Sequence, residues 1–363
     1  MKILDRYIIR NFLGTFLFAT LLLLSISIVI DLSQRLHRLE AHHGSVKEAL
    51  IYYYPVWALW LGNTFMPIGV FISIIFFTSR LANNTEIVAI AAGGISLRRL
   101  VRPYLMAAFL IFSVSFLLNH FILPVTNVVK NDFQYRYLIS VEHKFNYERD
   151  RKVNAYLGDG EYVFIDNFSK SQQRGTGFVY QKFNGKKLFY IISAEQIRWD
   201  KLEKMYHVYN YKEHYIEKSK DIFKTGEELK VKIPLTPQEL LPEEYAAETM
   251  DTLQLGKFIE SERKKGILGI NLLLNEYYQR TSLPFSTFIL TLLAFSLSSE
   301  KRRGGIGANL ALGIVLAFVY IFFMEVSKNF STKVYMSSFL AVWLPNIIFG
   351  ILSCFFYLRR SRY

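Results

Sequence analysis

Residues 11–30 read NFLGTFLFATLLLLSISIVI, twenty positions without a charge. At about 1.5 Å of helical rise per residue they cover the roughly 30 Å of hydrocarbon in a bilayer. Lys2, Arg6 and Arg10 precede the stretch as they would a leader, but the run is long enough to stay in the membrane as a span, about 11–31. Five more runs qualify downstream: 63–80, 103–124, 282–299, 305–324 and 335–358. The uncharged stretch 49–79 exceeds one span, and Gly62, Asn63 and Pro67 offer a break in it. Residues 45–61, with Tyr52, Tyr53, Tyr54, Trp57 and Trp60, are therefore read as an interfacial helix ahead of the second span. Pro124 reads as the stop of the third span.

The rest of the chain is too polar for lipid. Of 363 residues 52% are hydrophobic but 20% are charged, so apolar spans alternate with polar segments. The single cysteine, Cys354, excludes an internal disulfide and a cysteine-based zinc or iron–sulfur site. The net charge of +13 lies beside the apolar runs: residues 130–280 carry 25 Lys and Arg against 23 Asp and Glu, leaving 18 against 7 elsewhere. That placement excludes a nucleic-acid partner and reads as membrane topology. Thirteen basic residues fall on one set of alternating segments: Lys2, Arg6, Arg10, Arg80, Arg98, Arg99, Arg102, Lys301, Arg302, Arg303, Arg359, Arg360 and Arg362. The opposite set has five: Arg35, Arg38, Lys47, Lys328 and Lys333. Both termini are expected in the cytoplasm.

Residues 125–281 then lie outside. EYVFIDNF, TGFVYQKF, KKLFYIISAEQIRW and MYHVYNYKEHYIE alternate with period two and are rich in Tyr, Phe, Val and Ile. Asn184-Gly185 suits a type I′ hairpin turn, and 200–203 reads as a second turn. Short meandering strands without interleaved helices predict a β-sandwich or jelly roll, followed by a helical return over 251–281. The expected fold is membrane α-helical, three spans plus three. The first membrane half takes 1–124, the β-domain 125–281 and the second half 282–363.

Catalytic signals are few. There is no GxxxxGK[ST] phosphate loop and no HExxH, so any energy must arrive from a partner. His207 and His214 differ by an odd number, and a regular strand points them to opposite faces. No metal or cofactor is expected. The most informative segment is SRLANNTEIVAIAAGGISLRRLVRPYL, 79–105. Residues 84–93 read as a short helix capped by Asn84 or Thr85 and stopped by Gly93-Gly94. Glu86 either complements the helix dipole or anchors a docked helix. Ile87, Ile90 and Ala91 are too apolar for a loop in water and favour docking into a groove.

TEIVAIAAGG, LDRYIIRNFLGTF, NTFMPIGVFISIIFFTSRLA and the closing YQRTSLPFSTFILTLLAFSL…GGIGANLALGIVLAFVYIF…VWLPNIIFGILSCFFYLRR resemble, in that order, the lipopolysaccharide-export permease family LptF/LptG. The opening Leu4-Asp5-Arg6-Tyr7-Ile8 looks more like its LptG member. The resemblance implies an inner-membrane permease, not an enzyme by itself. It would pair with an LptF-like paralogous half and bind two copies of an LptB-like cytoplasmic ATPase, which holds the ATP. Together they would extract lipopolysaccharide and pass it to an LptC/LptA-like periplasmic bridge. The family's coupling-helix acid carries over to Glu86. Asp31 stands close to where the family often has a Lys that meets lipid phosphates, which moves the candidates to Arg35 and Arg38. That pair, three apart on one helix face, suits bidentate phosphate binding and equally suits interfacial anchoring. Glu325 and Lys328, likewise three apart, read as a local ion pair or a substrate gate.

Rival functions carry distinct signatures. A mechanotransmission ABC permease would have four spans, with its domain after the first. A membrane enzyme acting on lipid-linked sugars would need clustered acids or histidines at the membrane face, and a sensor a cytoplasmic output domain.

Overall fold

The computed structural model describes residues 3–139, 151–169, 172–216, 221–240, 246–264, 270–300, 305–333 and 335–361. Lys2, Arg362 and the basic run 301–303 therefore lie outside the described residues. The chain forms two compact units: Met1–Phe133, Glu248–Thr252 and Asn271–Tyr363 make the first, Gln134–Ala247 and Leu253–Ile270 the second.

In the membrane unit the helices are α1 (Ile3–Ala41), α2 (Val46–Glu48), α3 (Tyr54–Thr64), α4 (Met66–Asn83), α5 (Glu86–Ala92), α6 (Leu97–Leu100), α7 (Arg102–Leu117) and α8 (Leu123–Phe133). After the inserted segment, with its short α9 (Pro237–Leu240), α10 (Ala246–Thr249) and α11 (Thr252–Lys264), come α12 (Ile270–Ser298), α13 (Gly305–Thr332) and α14 (Ser338–Ser361). Among the described residues six helices are long and apolar enough to cross a membrane, three before the insertion and three after it. The second span begins after a break at Phe65 rather than at Gly62-Asn63; Pro67 sits in the first turn of α4, where no backbone N–H is needed. Asn63 stays within α3, its amide donating to Asn119 Oδ1 at 3.0 Å.

Pro124 does not stop the helix that carries the third span. The helix runs from Leu97 to Leu138, and a π-helical segment, Leu118–Ile122, lies directly before Leu123-Pro124. A proline inside a helix lacks one donor and crowds the carbonyl four residues back; the wider π turn relieves both. The same device, Ala49–Tyr53, precedes Pro55.

Helices α4 and α12 form the interior. Thr78 Oγ1 donates to Tyr104 Oη at 3.0 Å, Asn309 Nδ2 to Ser79 Oγ at 3.0 Å, and Asn346 Nδ2 to the Ser282 carbonyl at 2.7 Å. Tyr104 packs against Phe295, and Gly313 lies so close to Ile75 that a Cβ there would collide with it. Helix α1 differs: only Asp5, Ile8, Phe12 and Leu39 are buried, all toward its ends.

The second unit carries a six-stranded antiparallel sheet in sequence order: β1 (Arg151–Gly158), β2 (Glu161–Ser169), β3 (Arg174–Asn184), β4 (Lys187–Asp200), β5 (Met205–Tyr215) and β6 (Ile222–Val231). The fold is thus a six-span helical membrane protein with a β-domain, consistent with a jelly roll or sandwich, between spans three and four. Two turns follow from local chemistry. Gly185 and Lys186 connect β3 to β4, one residue later than the sequence suggests, because Gly185 alone takes positive φ (61°). That is the demand of a type II′ connection at its first central position. Asp200 Oδ1 accepts from the amides of Leu202 (2.7 Å) and Glu203 (3.1 Å), tying the next turn as an Asx motif.

The core face of the sheet reverses phase along one line. Buried positions run 163, 165, 168 in β2, then 175, 178, 180 in β3, and 192, 194, 197 in β4. In β5 they run 206, 208, then 213. The pairings Ile165↔Phe178↔Ala194↔Tyr211 and Asn167↔Thr176↔Gln196↔Tyr209 bracket the slip. It passes through Asp166, Gly177, Glu195 and Asn210, and on to Glu227 in β6, which Tyr209↔Glu228 and Tyr211↔Gly226 bracket. Gly177 (φ 70°) and Asn210 (φ 53°) take the left-handed conformation that rotates a strand by one facing, and the Asn210 amide donates to Glu195 Oε2 at 2.8 Å. Consequently His207 and His214 share the face away from the core, against the expectation from strict alternation. His207 there contacts Glu228 and Glu203, and His214 stacks on Phe223.

Candidate functional site

The connection from α4 to α7 is built tightly. Helix α4 ends at Asn84, and Thr85 follows with φ 60°, a strained conformation for a β-branched residue. Neither residue caps α5 through its side chain: Thr85 Oγ1 donates to the Asn84 carbonyl at 2.6 Å. Glu86, half-buried, accepts instead from Asn84 Nδ2 (3.3 Å) and from the Tyr7 hydroxyl on α1 (3.5 Å). The helix stops as expected at Gly93-Gly94. Gly94 (φ 81°) donates to the Ala91 carbonyl and Ile95 to that of Ile90, a Schellman arrangement.

The apolar residues of α5 divide between two faces. Ile87 is 6% exposed and joins the membrane core with Ile8, Phe12, Phe77, Leu100 and Tyr104; Ile90 packs partly against the same cluster. Ile87 holds the helix to its own bundle and is turned away from the outward surface, while Ile90, half-buried, lies at the edge between the two. The outward surface is Val88, Ala89, Ala91 and Ala92, with Val88 63% exposed. Sequence alone gave no means of separating these sets. Beyond Ile95, Ser96 caps α6, and Arg99 on that helix donates from Nη2 to Asp5 Oδ2 at 2.7 Å. Arg80, Arg98 and Arg102 around it are exposed. The result is a small apolar knob with an acid at its start, set in a basic surface.

The other candidates lie elsewhere on the unit. Arg35 is paired through Nε with Asp31 Oδ1 at 2.8 Å, and Asp31 also accepts from Tyr54 Oη at 3.2 Å; Arg38 is exposed. Lys328 meets Glu325 at 2.7 Å and donates to Gln279 Oε1 at 3.3 Å. No ion pair joins the Arg35 group to the Glu325 group among the described residues.

A further polar cluster escaped the sequence reading. Lys130 meets Glu248 at 3.2 Å and lies over the Trp60 ring, while buried Arg280 meets Glu276 and, with His120, the Thr252 hydroxyl. Of these, Trp60, Glu248, Glu276 and Arg280 line a cavity of about 50 Å³, and the cluster ties the returning segment 248–252 to α8 and α12. Two charges four apart, Glu276 and Arg280, at the start of an apolar run were its signal in the sequence.

The model of the lipopolysaccharide export system permease family LptF/LptG matches residues 6–360. Comparison with curated protein sequences gives no match.

Proposed function

The chain belongs to the lipopolysaccharide export system permease family LptF/LptG, an integral-membrane transporter family, and from that membership we propose that it is one half of an inner-membrane ABC permease. Its partners are a paralogous half and an ATPase dimer that hydrolyses the ATP; a periplasmic bridge receives the extracted lipopolysaccharide. The permease needs no cofactor of its own. Both termini face the cytoplasm, and the β-domain faces the periplasm.

The observation that carries the reading is the knob of α5. Its outward face is apolar though it stands in a basic, polar surface, and its acid sits at the end nearest α1. An exposed apolar helix with one carboxylate fits a groove carrying a cation. Six spans with the domain after the third favour lipid export over a four-span force-transmitting permease. At the outer side Asp31 already engages Arg35, so Arg38 is the better candidate for lipid phosphate, and Glu325–Lys328 serves as a local pair.

The test is Glu86→Ala. Glu86 makes no cap, so the fold should hold, while ATPase co-purification should fall markedly, since breaking a partly buried pair costs about 3–5 kcal/mol. Val88→Asp should act in the same direction. Wild-type ATPase capture and lipid release in both variants would sink the docking assignment.

A further inference from the structure

Helix α1 touches the docking segment at two points 79 and 94 residues away in sequence: Tyr7 Oη to Glu86, and Asp5 to Arg99. The second contact is the stronger. Its atoms are 2.7 Å apart, the Asp5 side chain is 8% exposed and that of Arg99 29%, and one and two turns on, Ile8 and Phe12 are fully buried. Arg99 is the only one of the four arginines of this segment that is turned inward; Arg80, Arg98 and Arg102 face solvent. A solvent-facing topology signal would have no need of a buried carboxylate 94 residues away.

Beyond Phe12, α1 buries nothing until Leu39, and its outer end is held by Asp31 to Tyr54 of α3. A continuous helix of 39 residues is about 58 Å long at 1.5 Å per residue. Such a rod carries a displacement of its base to its far end only if the base is fastened to whatever moves.

We propose that Asp5 and Arg99 form a strap that makes α1 move with the docking segment 86–100, so that motion delivered at α5 arrives at the outer end of α1. The proposal rests on the docking reading above and adds the residues that pass the motion on. Asp5 and Arg99 are positioning residues, outside both the ATPase surface and the lipid path. Directional pairing suits the task better than apolar packing, because an ion pair with one partner removed leaves a buried charge uncompensated, whereas apolar side chains slide.

The test uses the complete transporter with its ATPase in liposomes containing lipopolysaccharide, reading lipid released per ATP hydrolysed. Asp5→Asn and Arg99→Asp should keep the ATPase bound but lower the ratio by about tenfold, within the usual range of coupling between two sites. The exchange Asp5→Arg with Arg99→Asp should restore most of it, which a purely local stabilising role at either position would not do. Should the single variants fail to accumulate, the exchanged pair and a cross-linked pair still decide. With Cys354 replaced by Ala, cysteines at 5 and 99 joined by a short bifunctional thiol reagent should leave the ratio at its wild-type value. A single-variant ratio equal to wild type, an exchange without rescue, or a cross-link that stops release each overturns the strap. Failure of the docking reading appears separately, as wild-type ATPase capture by Glu86→Ala.

Discussion

Helices α1 and α12 are both long enough to cross a bilayer, yet they use their side chains in opposite ways. The membrane stretch of α1 is the most apolar of the six and none of it is buried; α12 is among the least apolar and 72% of its stretch is buried. Helix α4, the least apolar, follows α12 at 67%. In water this order would be reversed. In lipid, apolar surface gains little by leaving one hydrocarbon environment for another, so packing fit and hydrogen bonds decide which helix goes inside. The buried faces accordingly carry Ser73, Thr78 and Ser79 on α4, and Ser282, Ser286, Thr287 and Thr291 on α12.

The largest test of that contrast is a pair of glycines. At Gly313 any side chain meets Ile75, whereas at Gly14 on α1 nothing lies within 4 Å. Gly313→Leu should destabilise the detergent-purified protein by at least about 1–3 kcal/mol through overpacking. Gly14→Leu should leave its melting temperature unchanged within error, and equal effects at the two sites would refute the division of roles.

A smaller effect is expected where the interior is polar. Asn346 accepts from the Tyr320 hydroxyl at 2.9 Å and donates to the Ser282 carbonyl. Asn346→Leu should cost about 1–2 kcal/mol in thermal unfolding, because both partners stay buried. Ser25→Ala on α1, which removes only a bond to the carbonyl one turn back, should cost nothing measurable.

The β-domain sharpens the comparison from the water side, with the smallest effect. Hydrogen bonds to Glu228 and then Glu203 raise the His207 pKa above its ordinary 6.5, against the opposing pull of desolvation. A group raised on folding contributes its stabilisation in full below the unfolded value, and loses it as pH climbs through the folded value. Hydrogen-exchange protection of β5 and β6 should therefore weaken as pH rises from about 6.5, after correction for intrinsic exchange. In His207→Gln this slope should vanish; an unchanged slope would assign it to another group.

The spans and the β-domain were legible because each has a physical period: twenty uncharged residues for lipid, alternation for a sheet. What was illegible depended on single residues or on distant ones. Pro124 reads as a stop until the π turn before it is seen. Asn210 reads as an ordinary strand residue, and its left-handed backbone reverses everything after it. Within the candidate site, Glu86 and the stop at Gly93-Gly94 were visible, but Ile87 and Val88 are equally apolar. Only the packing of Ile87 against Ile8 and Phe12 sends them to opposite faces. The Asp5–Arg99 pair joins two ordinary topology charges, and no local pattern links residues 94 apart.

The phase reversal in the sheet also governs how its length can vary. Removing one residue from the turn 201–204 shortens a connection and leaves every strand facing as before. Removing Asn210 would make β5 alternate without a break and keep Tyr211 and Glu213 on the core side, but Glu195 in β4 and Glu227 in β6 would lose the residue between them, and the pairing would break along that line. Insertions and deletions in related sheets therefore belong at residues 159–160, 185–186 and 201–204. Positions 166, 177, 195, 210 and 227 can change length only together, as one mark carried across five strands.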